Sequence, residues 1–205
     1  MRVYFVRHCE AVSNVRQILA GQMEFPLTEQ GMRQAQLIAE NFHKKVPRID
    51  SIYVSSQLRT RQTAQPFAHL FNIQPISDER LKEQNWGKFC GKTYQELRSD
   101  PQFHHPRTQD WSFKPEGGEG YADVYQRVRD FFSALQQLPS QSSVLCVTHG
   151  GTMRIIRGIL EQTAPHSYSP DVPSNGEIWH IESFQPGSKH HIDIWHFGPQ
   201  IQHPM

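Results

Sequence analysis

The sequence predicts an α/β fold on three observations. Val3-Tyr4-Phe5-Val6, Ile52-Tyr53-Val54 and Val144-Leu145-Cys146-Val147 are short, continuous apolar runs, the pattern of strands buried on both faces. Segments with helical periodicity lie between them. Each run also stops abruptly at polar residues, Arg7-His8, Ser55-Ser56 and Thr148-His149-Gly150.

Each element has its own signal. Met32, Ala35, Ala39, Phe42 and Val46 define one helix face, with Thr28 as N-cap and Glu29 in the first turn. A second helix covers Arg59 to Phe71 and turns Ala64, Phe67, Ala68 and Phe71 inward. A third runs from Tyr121 to Leu138 on Tyr121, Val124, Val128, Phe131, Leu135 and Leu138. A fourth starts near Gly151 and carries Met153, Ile156 and Leu160. Glu177 to Phe184 and His191 to Phe197 read as strands joined by the turn Gln185-Pro186-Gly187-Ser188. Residues 98–120 have no steady period; they hold Pro101, Pro106, Pro115, Gly117, Gly118 and Gly120 beside Phe103, Trp111 and Phe113. Such a segment is either a lid over a site or a surface loop packed by its own aromatics. No repeat or linker divides the chain, so residues 1–205 are expected to form a single domain.

The 205 residues suffice to bury roughly 70% of the unfolded surface without a disulfide or metal staple. Lys plus Arg is 21 and Asp plus Glu is 20, a net charge of +1, which counts against a nucleic-acid or polyanion binder. No apolar run approaches the roughly 20 residues that span a bilayer. The N-terminus has no apolar core of a signal peptide. Three cysteines, Cys9, Cys90 and Cys146, are no disulfide framework. A cytoplasmic protein without membrane attachment is expected.

The strand ends carry the chemistry. In α/β sheets, ligands bind outside the carboxyl ends of the strands. If the three strands are parallel neighbours, Arg7, His8, Arg59 and His149 meet in one crevice. Guanidinium forks fit phosphate oxygens, and a histidine among them can serve as nucleophile or general base. Any one of these histidines alone reads better as a structural hydrogen-bonder; three coincident strand ends shift the balance.

Arg7-His8-Cys9-Glu10 followed by Asn14 resembles the Arg-His-Gly-Glu…Asn signature of the histidine phosphatase superfamily, the phosphoglycerate-mutase-like proteins. The resemblance continues through Gly21 to Thr28 with Gly31 and Gln34-Ala35, through Ser55 to Ala64, and through Leu81-Lys82-Glu83 with Gly87 and Gly91. It ends with Pro115-Glu116-Gly117-Gly118-Glu119 and Thr148-His149-Gly150-Gly151. Six motifs in order over about residues 3–158 are far more specific than a lone Arg-His-Gly. The resemblance implies a three-layer α/β/α sandwich around a mostly parallel mixed sheet. It implies that His8 is the nucleophile and forms a phosphohistidine. Arg7, Asn14, Arg59, His149 and Gly150 would hold the phosphoryl oxygens with help from Gln22, and Glu83 would protonate the leaving oxygen. The arginines would supply the charge that other phosphatases take from a metal, so no cofactor is implied.

Departures and rivals shape the expectation. Cys9 stands where the family usually has Gly, which would strain a backbone that needs positive φ. Cys9 and Cys90 could share the pocket, where Arg7 and Arg59 would favour a thiolate; buried, inert thiols are the plainer alternative. His8-Cys9 also suggests the cysteine-phosphatase pattern His-Cys-x5-Arg, but the required position is Val15 and the arginine is Arg16. His104-His105 and His190-His191 are adjacent, and strand neighbours point to opposite faces, so neither pair suits a metal. The mutases resemble one another in Glu-Arg-His-Tyr-Gly and in paired arginines for a substrate carboxylate. Here Glu83-Gln84-Asn85-Trp86-Gly87 and isolated Arg98, Arg107 and Lys114 stand instead. The expectation is therefore a phosphatase for a small phosphorylated metabolite, with mutase as runner-up and a catalytically weak binding relative as third reading. The terminal strands offer an edge that could support a homodimer.

Overall fold

The computed structural model describes residues 1–103, 111–164, 168 and 171–198. Its strands are β1 (Arg2–Arg7), β2 (Ser51–Val54), β3 (Ile76–Ser77), β4 (Ser143–Thr148), β5 (Ile178–Ile181) and β6 (Asp193–Trp195). Its helices are α1 (Val12–Val15), α2 (Glu29–Lys45), α3 (Leu58–Phe71), α4 (Tyr94–Arg98), α5 (Tyr121–Leu135) and α6 (Gly150–Leu160), with 3-10 turns at Glu79–Leu81 and Gly87–Phe89.

The strands form one sheet in the order β3-β2-β4-β1-β5-β6. β3, β2, β4 and β1 run parallel, while β5 and β6 are antiparallel to their neighbours. Side chains alternate across the sheet. Val3, Phe5, Val144, Cys146, Trp179 and Ile181 therefore join one core with residues of α5 and α6. Tyr4, Val6, Ile52, Val54, Leu145 and Val147 join the other with residues of α2 and α3. This is the expected three-layer α/β/α architecture around a mixed sheet. The register pairs Arg7 with Thr148 and Val54 with Val147. His8, Ser55 and His149 consequently leave the sheet at the same end.

Thr28 caps α2 as expected, its hydroxyl accepting from the Gly31 amide at 2.9 Å. Met32, expected inside, is 49% exposed. The inward face instead runs through Gly31, Gln34, Ala35, Ile38, Ala39 and Phe42. Gly31 sits so near the preceding loop that a Cβ there would lie 2.0 Å from the Glu10 carbonyl oxygen, and this close approach rotates Met32 outward. The third expected helix, α5, ends at Leu135 rather than Leu138. Pro139 follows, and the residue before a proline is disfavoured in helical conformation. The two C-terminal strands are shorter than expected, and β6 is an edge.

Within 98–120, residues 104–110, including His104, His105, Pro106 and Arg107, lie outside the described residues. Phe103 and Phe113 pack with Leu19, Phe89 and Leu97 in a small third core. Trp111 packs against Tyr121, Tyr125 and Tyr168. No helix among the described residues is long and apolar enough to cross a membrane.

Candidate active site

β1 delivers His8 to the mouth of the sheet, where its amide donates to the Thr148 carbonyl at 2.9 Å. The ring nitrogen Nδ1 lies 2.7 Å from the Cys9 carbonyl oxygen. A carbonyl only accepts, so Nδ1 carries the proton and Nε2 keeps its lone pair. Burial, and then the charges of Arg59 and Arg7, hold His8 well below the usual imidazole range. The neutral ring required of a nucleophile is thus the resting state.

Cys9 takes the plainer of its two alternatives, a buried thiol. Its backbone does not have positive φ, so cysteine is tolerated where the family usually has glycine. Its side chain belongs to the apolar core of α2 and α3, and burial pushes the thiol up despite the nearby hydroxyl of Thr63. The arginines therefore do not make it a thiolate. Cys90 Sγ lies 3.8 Å from Asn85 Oδ1 and packs against Gly21.

Two arginines flank His8. The Arg7 guanidinium rests on α6, where a Cβ at Gly150 would lie 3.1 Å from its Nε. It donates to the Pro173 carbonyl, while its buried Nε has no partner among the described residues. Arg59 is 1% exposed. Its Nη1 donates to Met23 O at 2.9 Å and its Nη2 to Gly21 O at 2.8 Å. Burial lowers Arg59 to about 10, still charged at neutral pH.

His149 closes the far side. Its ring centroid is 5.3 Å from that of His8. Nε2 meets Ser55 Oγ at 2.8 Å, whereas buried Nδ1 has no partner among the described residues. Burial first, then Arg59, holds His149 well below its usual range. Asn14 is tied by its oxygen, which accepts from Ala11 N at 2.9 Å.

Glu83 faces the start of α6. Its carboxylate accepts from the amides of Gly151 at 3.0 Å, Thr152 at 3.1 Å and Gln84 at 2.9 Å. A helix N-terminus offers unpaired N–H groups, so a carboxylate is well placed there. Gln22 lies beside the same loop. Its Nε2 donates to Glu83 O at 3.0 Å and to Glu119 Oε2 at 3.3 Å, which ties two loops together.

Several supporting residues carry no assigned role in the sequence reading. Gln57 accepts from Glu83 N at 2.9 Å and donates to Gly21 O at 3.1 Å. Glu119, inside a quoted motif, pairs with Arg127 at 3.0 Å. The Tyr94 phenol is close enough to Arg7 and Glu83 to feel both charges, and burial raises its pKa. Asn175 lies beyond the six motifs, and no periodicity or spacing marks it. Among the described residues no three His, Cys, Asp or Glu side chains group as a metal site. His190 instead stacks on Phe184, and His191 is exposed beside Asp193.

The parallel strands of a mixed α/β sheet thus gather at one end two arginines and two neutral histidines, a site suited to an anionic group. The family model for the histidine phosphatase superfamily (branch 1) matches residues 3–190. A protein of Hydrogenobacter thermophilus provisionally named phosphoserine phosphatase 2 is 32% identical over 160 residues, covering 76% of each chain. A Yersinia enterocolitica protein provisionally named phosphoglycerate mutase GpmB is 30% identical over 177 residues, covering 82% of this chain and 78% of its own. Among solved structures, Bacillus stearothermophilus YhfR superposes with a TM-score of 0.81 at 30% identity, covering 94% of this chain and 95% of its own. The chain belongs to the histidine phosphatase superfamily and is an enzyme acting on phosphoric monoesters.

Proposed function

We propose that this enzyme is a cytoplasmic phosphatase that hydrolyses small phosphomonoesters through a phosphohistidine on His8, without a metal. The observation that carries this reading is the His8 ring itself, neutral, with Nδ1 spent on the Cys9 carbonyl and Nε2 free between Arg7 and Arg59. Arg7, Arg59, Asn14 and His149 bind the non-bridging oxygens, aided by the Gly150 amide at the start of α6 and by Gln22. The ester binds as its monoanion and passes its proton to the Glu83 carboxylate; His8 Nε2 attacks phosphorus in line, the phosphorus–oxygen ester bond breaks, and Glu83 gives that proton to the departing alkoxide. Water then attacks the phosphohistidine, Glu83 takes a proton from it, and phosphate leaves with neutral His8 restored. The two guanidinium groups supply charge stabilisation that a metal gives elsewhere. Three unpaired cysteines suit a reducing compartment.

The similarity to a protein named as a mutase supports a second reading. A mutase must retain a carboxylate-bearing phosphorylated intermediate, which calls for spare cations beside the phosphate site. Here Lys88 pairs with Glu116, Lys92 with Asp100, Lys114 with Asp123 and Arg127 with Glu119. That these cations of the described residues already have carboxylate partners favours hydrolysis, and the relatives named as phosphatases favour a small phosphorylated metabolite as substrate. Phosphate release from a panel of sugar, amino-acid and glycerate phosphates, with and without EDTA, tests the proposal. Turnover unchanged by chelator is expected. Activity lost with EDTA and restored by a divalent ion would overturn metal independence, and mutase turnover exceeding phosphate release would favour the second reading. Failure to hydrolyse any ester would leave a binding relative.

A further inference from the structure

We propose that residues 173–177, centred on Asn175, form a positioning strap that fixes the tautomer and aim of His8. This rests on His8 being the nucleophile. The segment precedes β5 and lies far in sequence from the β1 turn it contacts. Asn175 is 1% exposed. Its Nδ2 lies 2.9 Å from His8 O, 3.3 Å from Cys9 O and 3.4 Å from Asn14 Oδ1. Three acceptors converge on one atom, so that atom must be the amide nitrogen and not the oxygen.

The Cys9 carbonyl it touches is the same one that accepts from His8 Nδ1. Asn175 therefore acts through that carbonyl. It turns the oxygen toward the imidazole, and the oxygen in turn keeps the proton on Nδ1 and the lone pair on Nε2. The third contact reaches Asn14, which ties the Asn14 side chain to the same point.

The rest of the strap holds the neighbouring atoms. Gly176 N donates to Arg7 O at 3.2 Å, and Arg7 N donates to Glu177 O at 3.1 Å. The Pro173 carbonyl accepts from the Arg7 guanidinium. The strap is itself braced. Glu177 accepts from Ser174 N at 3.0 Å and from Trp179 Nε1 at 2.6 Å. Gln34 on α2 donates to Asn175 O at 2.8 Å and accepts from Glu10 N at 3.2 Å, joining strap and nucleophile loop from a third element. Gly176 has φ +75°, and a Cβ there would lie 2.9 Å from Gln34 Nε2, so the backbone can follow this path only with glycine. Second-tier hydrogen bonds of this kind set which ring nitrogen of a histidine carries the proton.

The test combines kinetics with 15N spectra of histidine-labelled enzyme. In the wild type, His8 is expected as the Nδ1–H tautomer; an Nε2–H tautomer there overturns the proposal without any variant. Asn175→Asp keeps the shape but presents oxygen to three oxygens, and Asn175→Ala removes the donor. Each folded variant should lower kcat roughly 10- to 100-fold, hold KM within about threefold, and shift His8 toward a tautomer mixture. Activity loss with the His8 spectrum unchanged would show a structural role only and overturn the strap, as would unchanged kcat. His8→Ala is run alongside. If it retains turnover, the nucleophile assignment fails, while the tautomer spectra still decide the strap.

Discussion

Glu83 is the residue whose chemistry the structure constrains most sharply after His8. Its carboxylate rests on the amides of Gly151 and Thr152, and its backbone is held by Gln57 and Gln22. As the acid it helps only a leaving oxygen that needs a proton. General acid catalysis is worth roughly 10²–10⁴-fold, so Glu83→Gln should lower alkyl phosphate hydrolysis by about that factor. The loss for p-nitrophenyl phosphate should be much smaller, because nitrophenolate leaves unaided. Equal losses for both substrates in the folded variant would remove Glu83 from the acid role and leave it as a brace for α6. At this scale the sequence was informative where side-chain type and strand end coincide, as at Arg7, His8, Arg59 and His149. It was silent on Asn175 and Gln57, whose roles arise from contacts across 167 and 26 positions of chain. It left two outcomes open at Cys9, because adjacency to the nucleophile says nothing of which side of the backbone a side chain takes.

The elements were legible wherever a period or a cap marks them. Thr28 starts α2, and the apolar faces of α3, α5 and α6 lie largely as their spacing predicts. α4 has a readable signal too, a capping box in which Thr93 accepts from Glu96 N and Glu96 accepts from Thr93 N at 2.7 Å. Five residues are too few to show a period, so the cap stands without the helical pattern that would confirm it. β3 has two exposed residues and exists only by pairing with β2, so no local property could reveal it. The start of α6 yields a prediction of its own. A Cβ at Gly151 would lie 2.6 Å from Glu83 Oε1. That neighbour is the end of a side chain, so Gly151→Ala should fold and push the carboxylate aside. Alkyl phosphate turnover should fall at least about tenfold with thermal stability preserved. Unimpaired turnover in this variant would mean that Glu83 need not sit on the helix start to act.

The whole molecule buries two histidines as neutral groups, and this links stability to pH. His8 and His149 both have folded pKa values well below 6.5. Below that value the unfolded chain binds protons that the folded chain refuses. Stability is therefore full above about pH 6.5 and falls as pH drops below it, by up to about 1.4 kcal/mol per pH unit for each histidine. Urea midpoints measured between about pH 8 and pH 5 should decline in the acid half. His8→Asn should make the decline shallower. A wild-type midpoint flat across that range would contradict the neutral burial of both rings. The same depressed pKa of His8 places the acid limb of kcat/KM below pH 6.5 wherever that ring sets it.

The central claim is the covalent intermediate on His8. Rapid quenching of the enzyme with a 32P-labelled phosphomonoester in the presence of EDTA tests it directly. The account predicts a phosphoenzyme that survives alkali, is lost in acid, maps to the peptide containing His8, and is absent from His8→Ala. Full turnover by His8→Ala, or a label that resides on Cys9 or survives acid, would contradict it.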